Sequence, residues 1–185
     1  KQKILVEFAH PNTHKLFHIG HLRNITTGES IARILEFNGS KITRANYQGD
    51  VGLHIAKCLW GIKKLGFKKD ASLKKRIEFL GKAYATGSSA YENDEDTKNE
   101  IIEINKKLYE KDRSLMKLWK ETRQWSLDYF SEIYKRVYTK FDRLYFESEV
   151  AEDGVKIAKD ALKKGILTKS EGAIIFDGEK YGLDK

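Results

Sequence analysis

VEFAHPNTHKLFHIGH, residues Val6–His21, holds the single proline of the chain and four of its five histidines. Ile4-Leu5-Val6, continued by Phe8, reads as a buried β-strand. Pro11 and Asn12 end it, because proline cannot extend a ladder and asparagine favours turns. From about Ile19 to Phe37 the apolar residues Leu22, Ile25, Ile31, Ile34 and Leu35 mostly keep helical spacing, and Asn38-Gly39 is a helix stop. Lys41 to Tyr47 (KITRANY) alternates as a second strand, and QGDVG turns into a helix over about Leu53–Lys64. Strand, helical crossover and strand together predict a right-handed parallel α/β unit.

Beyond Gly66 the texture changes. From Ser72 to Lys140 there is no proline and almost no strand signal. Leu73, Ile77, Leu80 and Tyr84 mark one amphipathic helix; Ile101, Ile104 and Leu108 mark another, with NDED supplying a cap and first-turn carboxylates that complement the helix dipole. A long third helix runs from about Leu115 to Val137, and its Trp119, Trp125 and Tyr129 stripe reads as core because helical spacing alone accounts for it. RLYFESE (Arg143–Glu149) predicts a strand, about Val155–Lys164 a short helix, and GAIIFDGEKYG a strand followed by a turn. The expected organisation is α/β over 1–66, a helical insertion over 67–140, and a return to the α/β domain over 141–185.

At 185 residues the chain is long enough for one sizeable core. No run approaches the roughly 18 apolar residues of a membrane span, and no apolar signal segment opens the chain. One cysteine, Cys58, excludes an internal disulfide and a cysteine-rich zinc site and fits a reducing cytoplasm. A formal charge of +8 favours a polyanionic partner, although a lysine-rich solvated surface gives the same composition.

The histidines admit two chemistries. His10, His14 and His18 are spaced by four and His21 follows by three, which would align metal ligands on a helix. Pro11 and its turn break such a helix, so no metal site is expected. An anion site fits better: a strand end, a loop and a helix N-terminus leave N–H groups and a positive dipole at the carboxyl edge of the sheet, where nucleotides bind in open α/β folds. His18 and His21 would then flank Gly20 on the first helical turn and donate to phosphate or ribose oxygens, with the glycine letting a flat base approach the backbone.

His18-Ile19-Gly20-His21 resembles the HIGH signature of class I aminoacyl-tRNA synthetases and related nucleotidyl transferases. VEFAHPNTHKLFHIGHLRN, followed by RANYQGDVGLHIAKCLWG, is similar to arginyl-tRNA synthetases in particular. So are the helical block from EFLGKAYATGSSAYENDED to LMKLWKETRQWSLDYFSEIYKR and the tail KFDRLYFESEV…EGAIIFDGEKYGLDK. The resemblance implies a Rossmann-like class I synthetase nucleotide-binding half-domain with a parallel sheet and a helical insertion.

The same resemblance implies roles. Glu7 would meet the guanidinium of L-arginine, as a carboxylate should, and Asn12 the α-amino end; His10 stands where the family often has serine. His18, Gly20 and His21 would bind ATP, with Lys15 taking the part of the KMSKS-like lysine found elsewhere in the class. Gly49, Asp50 and Gly52 would shape the loop after the second strand, Asp50 holding the HIGH loop or capping the next helix. ATP with Mg²⁺, L-arginine and tRNA(Arg) are the implied substrates, without protein-bound zinc or membrane. The chain is expected to be part of a longer, monomeric, cytoplasmic enzyme, inactive alone and prone to self-association through an exposed sheet edge. Two other classes fit the residues: a different HIGH-type nucleotidyl transferase, and a non-catalytic RNA-binding remnant.

Overall fold

The computed structural model describes residues 2–66 and 71–183. Residues 67–70 of the expected insertion, residues 184–185 of the expected final segment, and residue 1 lie outside these.

β1 (Lys3–Glu7), α1 (Ile19–Phe37) and β2 (Lys41–Gln48) form the expected unit, followed by α2 (Leu53–Leu65). β3 (Arg143–Phe146) joins much later, after α3 (Leu73–Asn93), α4 (Glu95–Tyr109) and α5 (Arg113–Arg136). The three strands make a parallel sheet in the order β1-β2-β3. Glu7 lies opposite Ala45, and Gln48 opposite Phe146, so Glu7, Gln48 and the residue after Phe146 all fall at the carboxyl edge. This is an α/β fold with a parallel sheet, as the sequence predicts.

The helical block packs on α2. Ile55, Leu59 and Ile62 meet Leu80 of α3, Ile101 and Leu108 of α4, and Trp119 of α5. Trp119 and Trp125 are buried, which makes the aromatic stripe core. The capping expectation for α4 holds: the Asp94 carboxylate accepts from the Thr97 N–H at 3.1 Å.

β2 carries a second core of polar character. Arg44, Asn46 and Gln48 share one strand face and all are buried. Buried charge persists only when matched, and Arg44 is matched twice: Nε lies 2.9 Å from Glu29 Oε2, and Nη1 2.7 Å from Glu36 Oε1. The Thr139 hydroxyl donates to Glu29 at 2.7 Å, and the Arg44 N–H to Asp142 at 2.8 Å. Burial opposes ionisation of Glu29, but its bonds from Arg44, Arg33 and Thr139 hold the carboxyl below its ordinary range. The network ties α1, β2 and the segment before β3 together.

The tail departs from expectation in two places. The third strand stops at Phe146, and α6 (Glu147–Lys163) begins at once, because the alternation of RLYF gives way to the helix-favouring ESEVAED. The final strand is one arm of a hairpin, β4 (Thr168–Ser170) with β5 (Ala173–Ile175), turned at Glu171 (φ 48°) and Gly172 (φ 82°). A short 3₁₀ turn, Glu179–Tyr181, follows. The described residues form two compact units, one ending at Ser148 and the other beginning at Glu149. Among the described residues no helix is long and apolar enough to cross a membrane.

Candidate functional site

The loop from β1 to α1 is strained and firmly held. Ala9 (φ 83°), His10 (φ 56°) and His14 (φ 60°) all adopt the left-handed region without being glycine. Such residues cost about 1–3 kcal/mol each and persist where the surroundings over-determine them. Here successive backbone N–H groups are anchored: Phe8 to the Ala45 carbonyl (3.1 Å), His10 to Asn46 Oδ1 (3.0 Å), Thr13 to the Gly49 carbonyl (3.0 Å), and His14 to Ser126 Oγ (2.9 Å).

His14 is the main bolt. Its ring is fully buried, with Nε2 2.7 Å from Thr122 Oγ1 and Nδ1 3.1 Å from Thr13 Oγ1. The Thr122 hydroxyl donates to the Leu118 carbonyl at 2.8 Å, so His14 Nε2 must be the donor in their contact. Burial, then the nearby His54 and Arg123, lower its pKa to about 3. His14 is a neutral structural histidine joining the loop to α5.

The loop ends on His18, the N-cap of α1. His18 Nδ1 accepts from the Gly20 N–H at 3.1 Å, while the His18 N–H donates to His21 Nδ1 at 3.3 Å. Both Nδ1 atoms are acceptors, which leaves Nε2 of each ring to carry the N–H. A Cβ on Gly20 would lie 3.0 Å from the His18 ring, so glycine gives that ring room to fold back. Burial first, then the charges of His18, His10 and Lys15, lower the His21 pKa to about 4. The turn thus offers two imidazole N–H donors at a helix N-terminus.

Glu7 ends β1, and its Oε1 lies 3.0 Å from His10 Nε2. A cleft of about 550 Å³ opens beside them, lined also by Arg23, Asn24 and Thr27 of α1. Asn12 lies apart from that pair, against the loop after β2: a Cβ on Gly49 would come within 2.5 Å of Asn12 Oδ1. Lys15 turns towards α3, its Nζ 5.0 Å from the centre of the Tyr84 ring. Asp50 is fully buried, with Oδ2 2.9 Å from Arg123 Nε and 2.7 Å from Ser148 Oγ. It therefore clasps α5 and the start of α6; α2 is capped by Gly52 (φ 107°) with no side-chain bond. Among the described residues no three His, Cys, Asp or Glu side chains converge as a metal site would require.

Sequence reasoning overlooked His54 and Glu147. Burial, then Lys15, lower the His54 pKa to about 4 against a bond that the ring donates to the Gly49 backbone, which favours the charged ring, and Nε2 has no partner among the described residues. Glu147 follows β3 as Glu7 ends β1.

A HIGH turn opening a helix at the carboxyl edge of a parallel sheet defines the nucleotide-binding architecture of class I synthetases. The family model described as "tRNA synthetases class I (R), catalytic domain" matches residues 1–184. The chain belongs to this family, the catalytic domain of class I arginyl-tRNA synthetases. It is 38% identical over 179 residues to the arginine–tRNA ligase of Borreliella afzelii (strain PKo), covering 95% of this chain and 31% of that protein. Against the arginine–tRNA ligase of Bdellovibrio bacteriovorus the identity is 35%, covering 98% and 32%. The fold matches the arginyl-tRNA synthetases of Plasmodium falciparum and Thermus thermophilus, each with TM-score 0.70 and 24% identity, covering 96% and 97% of this chain and 30% of each of theirs. The chain thus spans about a third of the length of its curated relatives.

Proposed function

We propose that this chain supplies the first part of the active site of an arginine–tRNA ligase. In that reaction the carboxylate of L-arginine attacks the α-phosphate of ATP, forming arginyl-adenylate and releasing pyrophosphate. The terminal ribose hydroxyl of tRNA(Arg) then takes the arginyl group and releases AMP. Mg²⁺ accompanies ATP as part of that substrate. The reading includes no protein-bound zinc, and the one cysteine, Cys58, is buried in the helical core.

The roles follow from chemistry. His18 and His21 donate Nε2–H to phosphate oxygens, where fixed donors stabilise charge developing at phosphorus. Gly20 leaves the first turn open for the base. Lys15 swings from Tyr84 to the phosphates as a mobile cation. Glu7 takes the guanidinium, with His10 beside it, and Asn12 takes the α-ammonium. Gly49, Asp50 and Gly52 hold the neighbouring loop. Catalysis rests on positioning and charge stabilisation, with no covalent protein nucleophile. Residues 67–140 act as a helical insertion between the two α/β segments. The enzyme works as a cytoplasmic monomer. The free edge of β1, where Leu5 is exposed, favours self-association of this chain alone.

The observation that carries the reading is the interlocked His18–His21 pair, which caps α1 with both Nδ1 atoms and keeps both Nε2–H groups for a ligand. The test is an NMR titration with non-hydrolysable arginyl-adenylate beside its glutamyl counterpart, on the natural chain and Glu7→Gln. Selective shifts at Glu7, Asn12 and His18–His21, weakened in the variant, are expected. Equal responses to the two analogues would remove the Glu7 assignment.

A further inference from the structure

Glu7 and His10 line the cleft as a pair, Oε1 to Nε2 at 3.0 Å, and both side chains are partly exposed. An exposed pair by itself fixes little geometry. His10 is fixed from behind instead. Its backbone sits at φ 56°, in the left-handed region, and its N–H donates to Asn46 Oδ1 at 3.0 Å. That donor leaves the Asn46 amide one orientation, with Nδ2 turned away from the loop. Nδ2 donates to the Tyr134 hydroxyl on α5 at 3.0 Å, and Gln48 Nε2 adds a second donor there at 3.3 Å. Asn46 is fully buried, so each end of its amide needs its partner. The Tyr134 ring is anchored independently of its hydroxyl, in a cluster with Phe8, Ala9 and Phe130 and edge-on to Phe141 at 4.9 Å.

A chain of hydrogen bonds thus runs from α5, through β2, to the ring that meets Glu7. A carboxylate offers about four lone-pair sites, so the one that Glu7 gives to His10 leaves the others for a ligand. What the contact removes is rotation of the carboxylate plane. A guanidinium is a planar fork that needs this plane fixed, whereas an ammonium is a point charge indifferent to it.

We infer that Asn46 and Tyr134 are positioning residues for the guanidinium site: they hold His10, His10 holds the plane of the Glu7 carboxylate, and that plane selects a guanidinium over an ammonium. This rests on the arginine-site reading above and adds to it two residues that do not line the cleft.

Tyr134→Phe keeps the ring packing and deletes the hydroxyl. In the ligand-free variant the His10 amide should exchange about tenfold faster relative to the Thr13 and His14 amides, whose acceptors Gly49 and Ser126 are untouched. Equal acceleration of all three amides, or of none, overturns the positioning role. The selectivity step is read by calorimetric titration with non-hydrolysable arginyl-adenylate and its lysyl counterpart, on the natural chain, Tyr134→Phe, His10→Ala and the double variant. The preference for the arginyl form should fall about fivefold in each single variant and no further in the double one, because both act through one chain. Loss of folded protein lowers both affinities alike, so an unchanged preference in the variants, or additive losses, overturns the inference while leaving arginine recognition intact. His10→Ala, at a partly exposed side chain, carries this test alone if Tyr134→Phe does not fold. If the natural chain does not prefer the arginyl form, the arginine-site reading itself fails and the inference with it.

Discussion

His18 and His21 stack with ring centroids 3.7 Å apart and planes 24° from parallel. The stack is a consequence of reciprocal capping: His18 folds back over Gly20, and His21 reaches back to the His18 N–H. One pair of side chains therefore starts the helix and presents the proposed phosphate donors, which makes the two roles separable by substitution.

His18→Asn tests that separation. Asparagine is a strong N-cap and should keep α1 within a few tenths of a kcal/mol, whereas His18→Ala should cost about 1 kcal/mol. Both lose the imidazole Nε2–H. Melting temperatures should therefore rank natural, Asn, Ala, while affinity for the adenylate analogue falls at least tenfold in both variants. Retained affinity in His18→Asn would mean that the backbone of the turn, rather than the ring, binds the ligand.

The buried histidines set the acid limit of stability. His14, His21 and His54 have folded pKa values of about 3, 4 and 4 against the ordinary 6.5. The unfolded chain takes up those protons first, so the stability they contribute is complete above pH 6.5 and is lost as pH falls towards 4 and then 3. Each histidine contributes a slope of up to about 1.4 kcal/mol per pH unit in that window. His14 should dominate because it is fully buried, while partly exposed His21 is screened by solvent. His14→Gln should be destabilised at pH 7 by lost packing, with the deficit narrowing in urea titrations between pH 6.5 and 5. Parallel pH profiles for the two proteins would remove His14 from the account.

The β1-α1-β2 unit was legible because its signals are local: an apolar run, a proline turn, helical spacing and Asn38-Gly39, where Gly39 does adopt φ 87°. The HIGH turn was legible for the same reason. The polar face of β2 was not, because Arg44, Asn46 and Gln48 alternate like solvent-facing residues and their partners Glu29, Glu36 and Tyr134 lie on other elements. Nothing local distinguishes a buried arginine with two carboxylates from an exposed one. Glu147 was hidden likewise, since the ladder ends at Phe146 and RLYFESE contains no turn residue to mark the change.

Arg44 gives that polar face an energetic test. Removing one partner from a buried ionic network leaves charge uncompensated and costs about 3–5 kcal/mol. Arg44→Met fills a similar volume but takes from Glu29 its buried cation, leaving it only the more exposed Arg33 and the Thr139 hydroxyl. A loss of this size in urea unfolding is expected at pH 7, shrinking as pH falls and Glu29 is protonated. Adding Glu29→Gln and Glu36→Gln should recover much of the loss. No recovery in the triple variant would show that packing, not stranded charge, set the cost.

Gly61 and Gly87 predict a reversal of an ordinary rule. Alanine in place of glycine within a helix normally stabilises by about 1 kcal/mol. Here α2 and α3 approach so closely that a Cβ on Gly61 would lie 2.0 Å from the Ala83 carbonyl oxygen, and one on Gly87 2.0 Å from the Lys57 carbonyl oxygen. Both obstacles are backbone, so relief requires the helices to separate, and the apolar contacts of Leu59, Ile62 and Leu80 are loosened with them. Overpacking of this kind costs about 1–3 kcal/mol. Gly61→Ala and Gly87→Ala should each lower the urea midpoint, and the double variant should lose less than the sum, because one separation relieves both contacts. Gly154→Ala is the control: this glycine also lies within a helix, α6, but a Cβ there meets nothing within 4 Å. Stabilisation at position 154 with destabilisation at 61 and 87 is the expected pattern, and stabilisation at all three would refute the close α2–α3 approach.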